Sequence, residues 1–221
     1  MATTFKLSNT NTAAVTRLQP WNIYPVVFKG VEYKEGTSKA GKAWKAVQFK
    51  FSGEAGIVEP MFFCPGEKGD ERMSGETKGR KWELPSQMEL LSGAVSHILG
   101  VFAPSNLEKL KTLSFDFPDD FEKFVGTLEK ALKSSINKAT HIKLVGDSKG
   151  YAVVPNFVKI NRDGIAYISN NWLGDNLGFT EYEVSKSKQA KSATPTKVDG
   201  IDSVDASPDT TAENKDLDFD I

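Results

Sequence analysis

The chain has 221 residues, with 28 Lys and Arg against 29 Asp and Glu, for a formal net charge of −1. That balance is a cancellation, because residues 199–221 hold eight acids and Lys215, a charge of −7 that leaves +6 on residues 1–198. Cys64 is the lone cysteine and His97 and His141 are the two histidines, which excludes an intramolecular disulfide and almost excludes a Cys/His zinc site, so no metal and no cofactor is expected.

Residues 1–20 are polar, rich in Thr and Asn and without a clear period, and read as a flexible leader lying on the body. From Trp21 to Lys34 the run is β-branched and aromatic, with Gly30 where a strand would bulge, so one long kinked strand is expected. Residues 35–41 form a hairpin loop, and Lys42 to Phe51 alternate as a second strand. Ala43, Val47, Phe49 and Phe51 share its core face with Lys45, while Lys42, Trp44, Ala46, Gln48 and Lys50 share the other. A third strand from Ile57 to Cys64 completes a meander. Residues 65–83, with Gly66, Gly69, Gly75 and Gly79 among many charges, read as a long flexible loop ending in a basic and aromatic tip, Lys78-Gly79-Arg80-Lys81-Trp82.

Three helix starts follow, each pairing a capping side chain with an acid three residues on: Ser86 with Glu89, Ser105 with Glu108, and Asp119 with Glu122. In the third, Phe121, Phe124, Val125, Leu128 and Leu132 paint one apolar stripe. After Asn137 strands resume over His141 to Val145, Tyr151 to Ile160 and, past a hairpin at 161–164, Ile165 to Ile168. Beyond Val184 the composition turns to Ser, Lys, Thr, Pro and Asp, so residues 185–221 are expected to be a disordered linker and acidic tip. The expected domain, residues 21–184, is mainly β with a helical insertion over about 85–136. An OB-fold-like five-stranded barrel with helices between its third and fourth strands has this order. An α+β sheet with helices on one side fits nearly as well.

Catalytic patterns are weak. Gly36-Thr-Ser-Lys-Ala-Gly41-Lys42-Ala43 approaches a phosphate-binding loop, but Ala43 replaces the metal-holding hydroxyl and a strand follows where that loop needs a helix. Cys64 before Pro65 reads as a buried structural thiol, His97 as a helix residue, and Asp119-Asp120 as helix-start acids. The chain is therefore not expected to be an enzyme. Nucleic-acid binding has agreeing signals: Lys29, Lys34, Lys39, Lys42, Lys45 and Lys50 crowd one hairpin, and Trp44 sits on its outward face between Lys42 and Lys50. Lysines on phosphates and rings under bases grip single strands without reading sequence. Tyr151 and Phe157 share strand parity with Lys159 and extend the platform, unless these rings fill space under the helices. Arg80, Lys81 and Trp82 form a candidate clamp.

The chain ends Asp216-Leu217-Asp218-Phe219-Asp220-Ile221, acids alternating with apolar residues, as in disordered tips that bind a basic-rimmed apolar pocket. With a barrel, a Ser/Thr/Pro/Asp-rich linker and this tip, the chain resembles the acidic-tailed single-stranded DNA-binding proteins of bacteria and their viruses, and its helical insertion looks more like a bacteriophage version. The bacterial tip ends in Pro-Phe, whereas here Asp220 and Ile221 follow Phe219. The resemblance implies sequence-independent coating of single-stranded DNA in replication, recombination and repair, with the tip recruiting partner proteins of those processes. The tip is also expected to compete with DNA for the basic face. The alternative is a protein-interaction or virion component on the same barrel, without nucleic-acid binding. No apolar run approaches the ~18 residues that span a bilayer and no apolar signal core opens the chain, so no membrane partner and a cytoplasmic location, of a bacterial host if viral, are expected. A homo-oligomer is compatible with the chain but not specified by it.

Overall fold

Val, Ile, Tyr and Phe favour extended backbone where their branched or flat side chains pack on a pleated surface. The computed structural model describes residues 18–77, 79–147, 149–155, 157–159, 166–169 and 171–192, and in it the first such run forms one strand, β1 (Asn22–Thr37). Its second half pairs antiparallel with β2 (Ala43–Gly53), and a register shift between Phe28 and Gly30 bulges Lys29 out of the ladder. The other edge of β2 takes β3 (Gly56–Val58) and β4 (Met61–Phe63). The single strand expected from Ile57 to Cys64 is thus two pieces, parted at Glu59-Pro60 because proline has no N–H for a ladder. The Pro60 carbonyl still accepts from the Phe49 N–H at 3.0 Å.

The flexible loop expected over 65–83 is corrected to a hairpin, β5 (Met73–Thr77) and β6 (Arg80–Leu84). The glycines that suggest a loop act otherwise: Gly79 supplies the left-handed turn residue at φ 76°, and Gly75 makes room for the Trp82 indole opposite it. Arg72 ties the hairpin down, donating to Glu83, to Glu89 Oε2 at 3.1 Å and to the Ala166 carbonyl at 2.7 Å.

Helix α1 (Gln87–Phe102) starts at the expected capping box, with Ser86 Oγ accepting from the Glu89 N–H at 3.1 Å and Glu89 Oε2 from the Ser86 N–H at 2.7 Å. The second expected cap is corrected: α2 (Pro104–Leu110) starts on Pro104, whose missing N–H suits a first turn, and Ser105 lies inside it. Helix α3 (Phe121–Leu132) takes Asp120 rather than Asp119 as its cap residue, with no side-chain cap bond. Its stripe is as read, with Phe121, Val125, Leu128 and Leu132 buried and Phe124 half-buried. A 3-10 turn, Lys133–Ser135, then leads to β7 (Ala139–Gly146), which pairs with the first half of β1 from Asn22 opposite Leu144 to Val27 opposite Ala139. β8 (Ala152–Val153) folds back on the end of β7. The sheet order β3-β2-β1-β7-β8, with β4 beside β2, makes a strongly curled antiparallel half-barrel in a mixed α+β fold. The continuous strand expected from Tyr151 to Ile160 is corrected: past Val154-Pro155, β9 (Phe157–Lys159) leaves the sheet and pairs with β10 (Ala166–Ile168) in a separate ribbon. Pro155 cannot continue the ladder of β8.

The concave side of the sheet is closed by α1 and α3. Phe28, Phe49 and Phe51 meet Ile98, Leu99, Phe102, Phe121 and Leu128, all buried, and Phe102 stacks on Phe28 with ring centres 4.8 Å apart. Each such side chain contributes about 1.5–3 kcal/mol by leaving water.

The segment C-terminal to β10 first pairs along the edge of β7 and packs on α1, and from Gly178 onward covers the outward side of β7 at Lys143. Leu173 bridges Ile142, and the buried ring of Trp172 meets that of His97 at 5.1 Å. His97 Nε2 accepts from the Leu173 N–H at 3.2 Å, and burial brings the imidazole pKa down to about 4, so it is neutral at pH 7. Thr180 and Glu183 cap α4 (Glu181–Ser192) reciprocally, at 2.7 and 3.2 Å. Glu183 also accepts from Lys143 Nζ at 3.0 Å, and Lys143, fully buried on β7, donates to the Gly178 carbonyl at 3.0 Å. Helix α4 therefore carries regular structure through Ser192, past the residue 185 boundary expected for the linker, because its start is anchored in the body. The acidic tip and residues 1–17 of the leader lie outside the described residues, whereas Leu18 packs on the core. Among the described residues no helix is long and apolar enough to cross a membrane.

Removing one partner of a buried ion pair strands the other charge. Lys143→Met should lower unfolding stability in urea by about 3–5 kcal/mol, and adding Glu183→Leu should restore much of it.

Candidate nucleic-acid interface

Alternation along β2 sends Val47, Phe49 and Phe51 into the core and puts Trp44, Ala46, Gln48 and Lys50 on the convex face. The pairing of β1, β2 and β4 sets the rows of that face: Gly36 beside Trp44; Lys34, Ala46 and Phe63; Glu32, Gln48 and Met61; Gly30 beside Lys50. Ala46 is fully buried on this outward side, closed over by its larger neighbours.

Trp44 is placed by a glycine. Its indole lies on the backbone of Gly36, where a Cβ would stand 2.7 Å from Cζ2 and 2.9 Å from Cε2. A ring laid across a strand glycine covers backbone that no side chain shields. Phe63 meets Trp44 edge-on, with ring centres 5.7 Å apart and planes at 83°, and is 49 % exposed. With Met61 also exposed, the convex face carries a contiguous aromatic and thioether patch, which a solvated surface has no reason to keep. Trp82 repeats the device on β6: a Cβ on Gly75 would overlap its indole.

Lysines edge this patch. Lys39 and Lys42 are exposed in the turn between β1 and β2, which is held by the Ser38 N–H on the Lys42 carbonyl at 2.8 Å and the Lys42 N–H on Ser38 Oγ at 3.1 Å. Lys34 donates to Glu32 Oε1 at 2.8 Å, and Lys50 pairs with Glu32 Oε2. Those partners hold the Glu32 carboxyl below its ordinary range, the Lys34 hydrogen bond first, and the Glu32 hydrogen bond raises Lys50.

The structure brings Lys34, Lys39, Lys42, Trp44 and Lys50 together on the face and turn of one hairpin. Lys29 stands apart: bulged out of the ladder, it donates to Oδ1 of Asn137, just before β7, at 3.1 Å. Lys81 is exposed and Trp82 half-buried on the second hairpin, while the side chains of Arg80, Phe157 and Lys159, and Lys78, lie outside the described residues. Tyr151 is 44 % exposed in the turn before β8, and β8 does not continue to Phe157. Phe63, Met61, Glu32 and Gly36 are additions. The Phe62-Phe63 doublet carried a signal for the first, since in a strand one ring of such a pair faces out when the other fills the core.

Other candidate chemistry is not assembled. The stretch from Gly36 to Lys42 ends β1 and turns into β2, with a strand and not a helix following. Cys64 is half-buried, and burial pushes its thiol up against the opposing pull of Lys45. Among the described residues no three His, Cys, Asp or Glu side chains cluster to hold a metal ion. A second surface feature is the seam where β3 and β8 stay unpaired, a cavity of about 330 Å³ lined by Ile57, Val58, Met61, Ala152 and Val153. Set against known proteins, the chain matches no family model and no curated protein.

Gly36→Val should push the indole off β1 and lower unfolding stability by about 1–3 kcal/mol. A changed near-ultraviolet circular dichroism of tryptophan with the far-ultraviolet spectrum retained checks it.

Proposed function

We propose that this protein binds single-stranded DNA without reading its sequence, on the convex face of β1, β2 and β4, and has no catalytic role. The observation that carries the reading is Trp44, its indole against Gly36 and beside the half-exposed Phe63, with Lys34, Lys39 and Lys42 near it on the hairpin and Lys50 further along β2. Bases stack on such rings while lysines hold phosphates. Lys81 and Trp82 stand on the second hairpin, which is tied to α1 and β10, and form a separate candidate contact.

The element order supports an OB-type barrel as its scaffold: a three-strand meander, helices, then two strands, with β1 shared between β2 and β7. In this reading the tip Asp216-Leu217-Asp218-Phe219-Asp220-Ile221 recruits replication or recombination proteins and, at −7 over residues 199–221, competes with DNA for the lysines. The resemblance to phage-like acidic-tailed proteins supports the same assignment. The open seam at Ile57, which is 68 % exposed, favours a second reading, a protein-interaction or virion component that uses no nucleic acid.

Titration with oligo-dT, read by tryptophan fluorescence at two salt concentrations, separates the two. Binding should weaken with salt at a logarithmic slope of about −0.7 per neutralised phosphate. Trp44→Ala should weaken it by about 1–3 kcal/mol with the fold intact. Absence of oligo-dT binding by the wild type would leave the interaction-module reading.

A further inference from the structure

The proposed DNA face holds an acid where a phosphate backbone would run. Glu32 stands on the convex side of β1 opposite Gln48, and its two carboxylate oxygens engage two different lysines of the proposed phosphate set. Oε1 accepts from Lys34 Nζ at 2.8 Å, and Oε2 lies against Lys50 Nζ. The three side chains are 38 %, 38 % and 37 % exposed for Glu32, Lys34 and Lys50, so the cluster lies at the surface, with Glu32 Oε2 itself closed off from solvent. Two ammonium groups around one two-oxygen anion is the arrangement a phosphodiester would also take. The lowered carboxyl and the raised Lys50 ammonium keep both partners charged at neutral pH.

We propose that Glu32 occupies, in the free protein, the phosphate position between Lys34 and Lys50, and is displaced from the two lysines when a single strand binds. This rests on the DNA-binding reading above and adds how that site is restrained. With Glu32 in place the cluster carries one net positive charge, and without it two. The lysines exchange one anion for another, so each contributes less to affinity than a lysine without a partner. Glu32 thereby lowers both the affinity and its salt dependence, and leaves bound strands easier to strip from the protein. Glu59 is the graded comparison, since it accepts from Gln48 Nε2 at 3.3 Å and acts on Lys50 only through space, without pairing with it.

The test uses the full chain, oligo-dT, and the variants Glu32→Gln, Glu59→Gln and Lys34→Gln with Lys50→Gln. Glu32→Gln should bind about three- to tenfold more tightly at ~50 mM salt. Its salt slope should steepen by about 0.7, one further phosphate neutralised, so that the advantage fades as salt rises. Glu59→Gln should change affinity by less, and the double lysine variant should weaken it. A purely structural role for Glu32 gives the opposite sign, because loosening the β1–β2 ladder weakens binding; thermal unfolding of Glu32→Gln reports that directly. Unchanged or weaker binding by Glu32→Gln, or unchanged binding by the double lysine variant, overturns the inference while wild-type binding stands. Absence of wild-type binding overturns the DNA-binding reading itself, and this inference with it.

Discussion

Everything on the convex face depends on β1 being one strand with two partners. From Asn22 to Val27 it is paired by β7, and from Val27 to Thr37 by β2. The handover is at the Lys29 bulge, where Phe28 gives its N–H to the Lys138 carbonyl and accepts from the Asn137 N–H. A bulge sharpens the right-handed coil of a strand. That coil bends the sheet far enough for Phe28 and Phe51 to reach Phe102 from one side, and it turns the far side of β2 and β4 outward as a continuous surface. A flat sheet of the same sequence would leave the phenylalanines without a common core.

The convex face is then divided by the segment from Gly178 into α4. The same period-two alternation puts a lysine on the outward side of β7 and several on β1 and β2. Lys143 on β7 is sealed under the start of α4 by Glu183, Gly178 and the ring of Phe179, 5.6 Å away. Lys34 and Lys50 receive no such cover and pair at the surface with Glu32. Identical chemistry is thus a fastening in one half of the face and an uncovered surface cluster in the other. The difference lies in the polypeptide laid over it, and the capped α4 is what keeps the covered half covered.

Much of this was legible in the sequence where one physical rule acts alone. The faces of β2, the bulge beside Gly30, the capping box of α1 and the stripe of α3 follow from alternation, backbone freedom and helical spacing. The misplacements came where a residue has two uses. Gly75 and Gly79 look like loop glycines, yet one takes an indole and the other a hairpin turn. Pro60 and Pro155 each interrupt an apolar run whose β propensity is otherwise continuous. Ser105 and Asp119 sit near helix starts without capping them, because Pro104 and Asp120 determine where the turn begins. The candidate site divided the same way. Trp44 and the hairpin lysines were visible from one strand, but Phe63 beside Trp44 and Glu32 between two lysines are products of cross-strand register, which local patterning does not specify.

Charge matters here by position more than by total. Residues 1–184 hold 23 bases against 21 acids, so the excess over this part of the chain is small, and the proposed reading needs an anionic partner to be held where lysines and rings coincide. The four tryptophans make that coincidence directly observable, since each has one indole N–H: Trp21, Trp44, Trp82 and Trp172. The decisive measurement is the indole N–H region of a nitrogen-15 NMR spectrum as oligo-dT is added to saturation. Binding on the convex face predicts that the Trp44 resonance shifts while that of Trp172, 1 % exposed in the core, stays in place. A strand that binds and leaves Trp44 unmoved would contradict it.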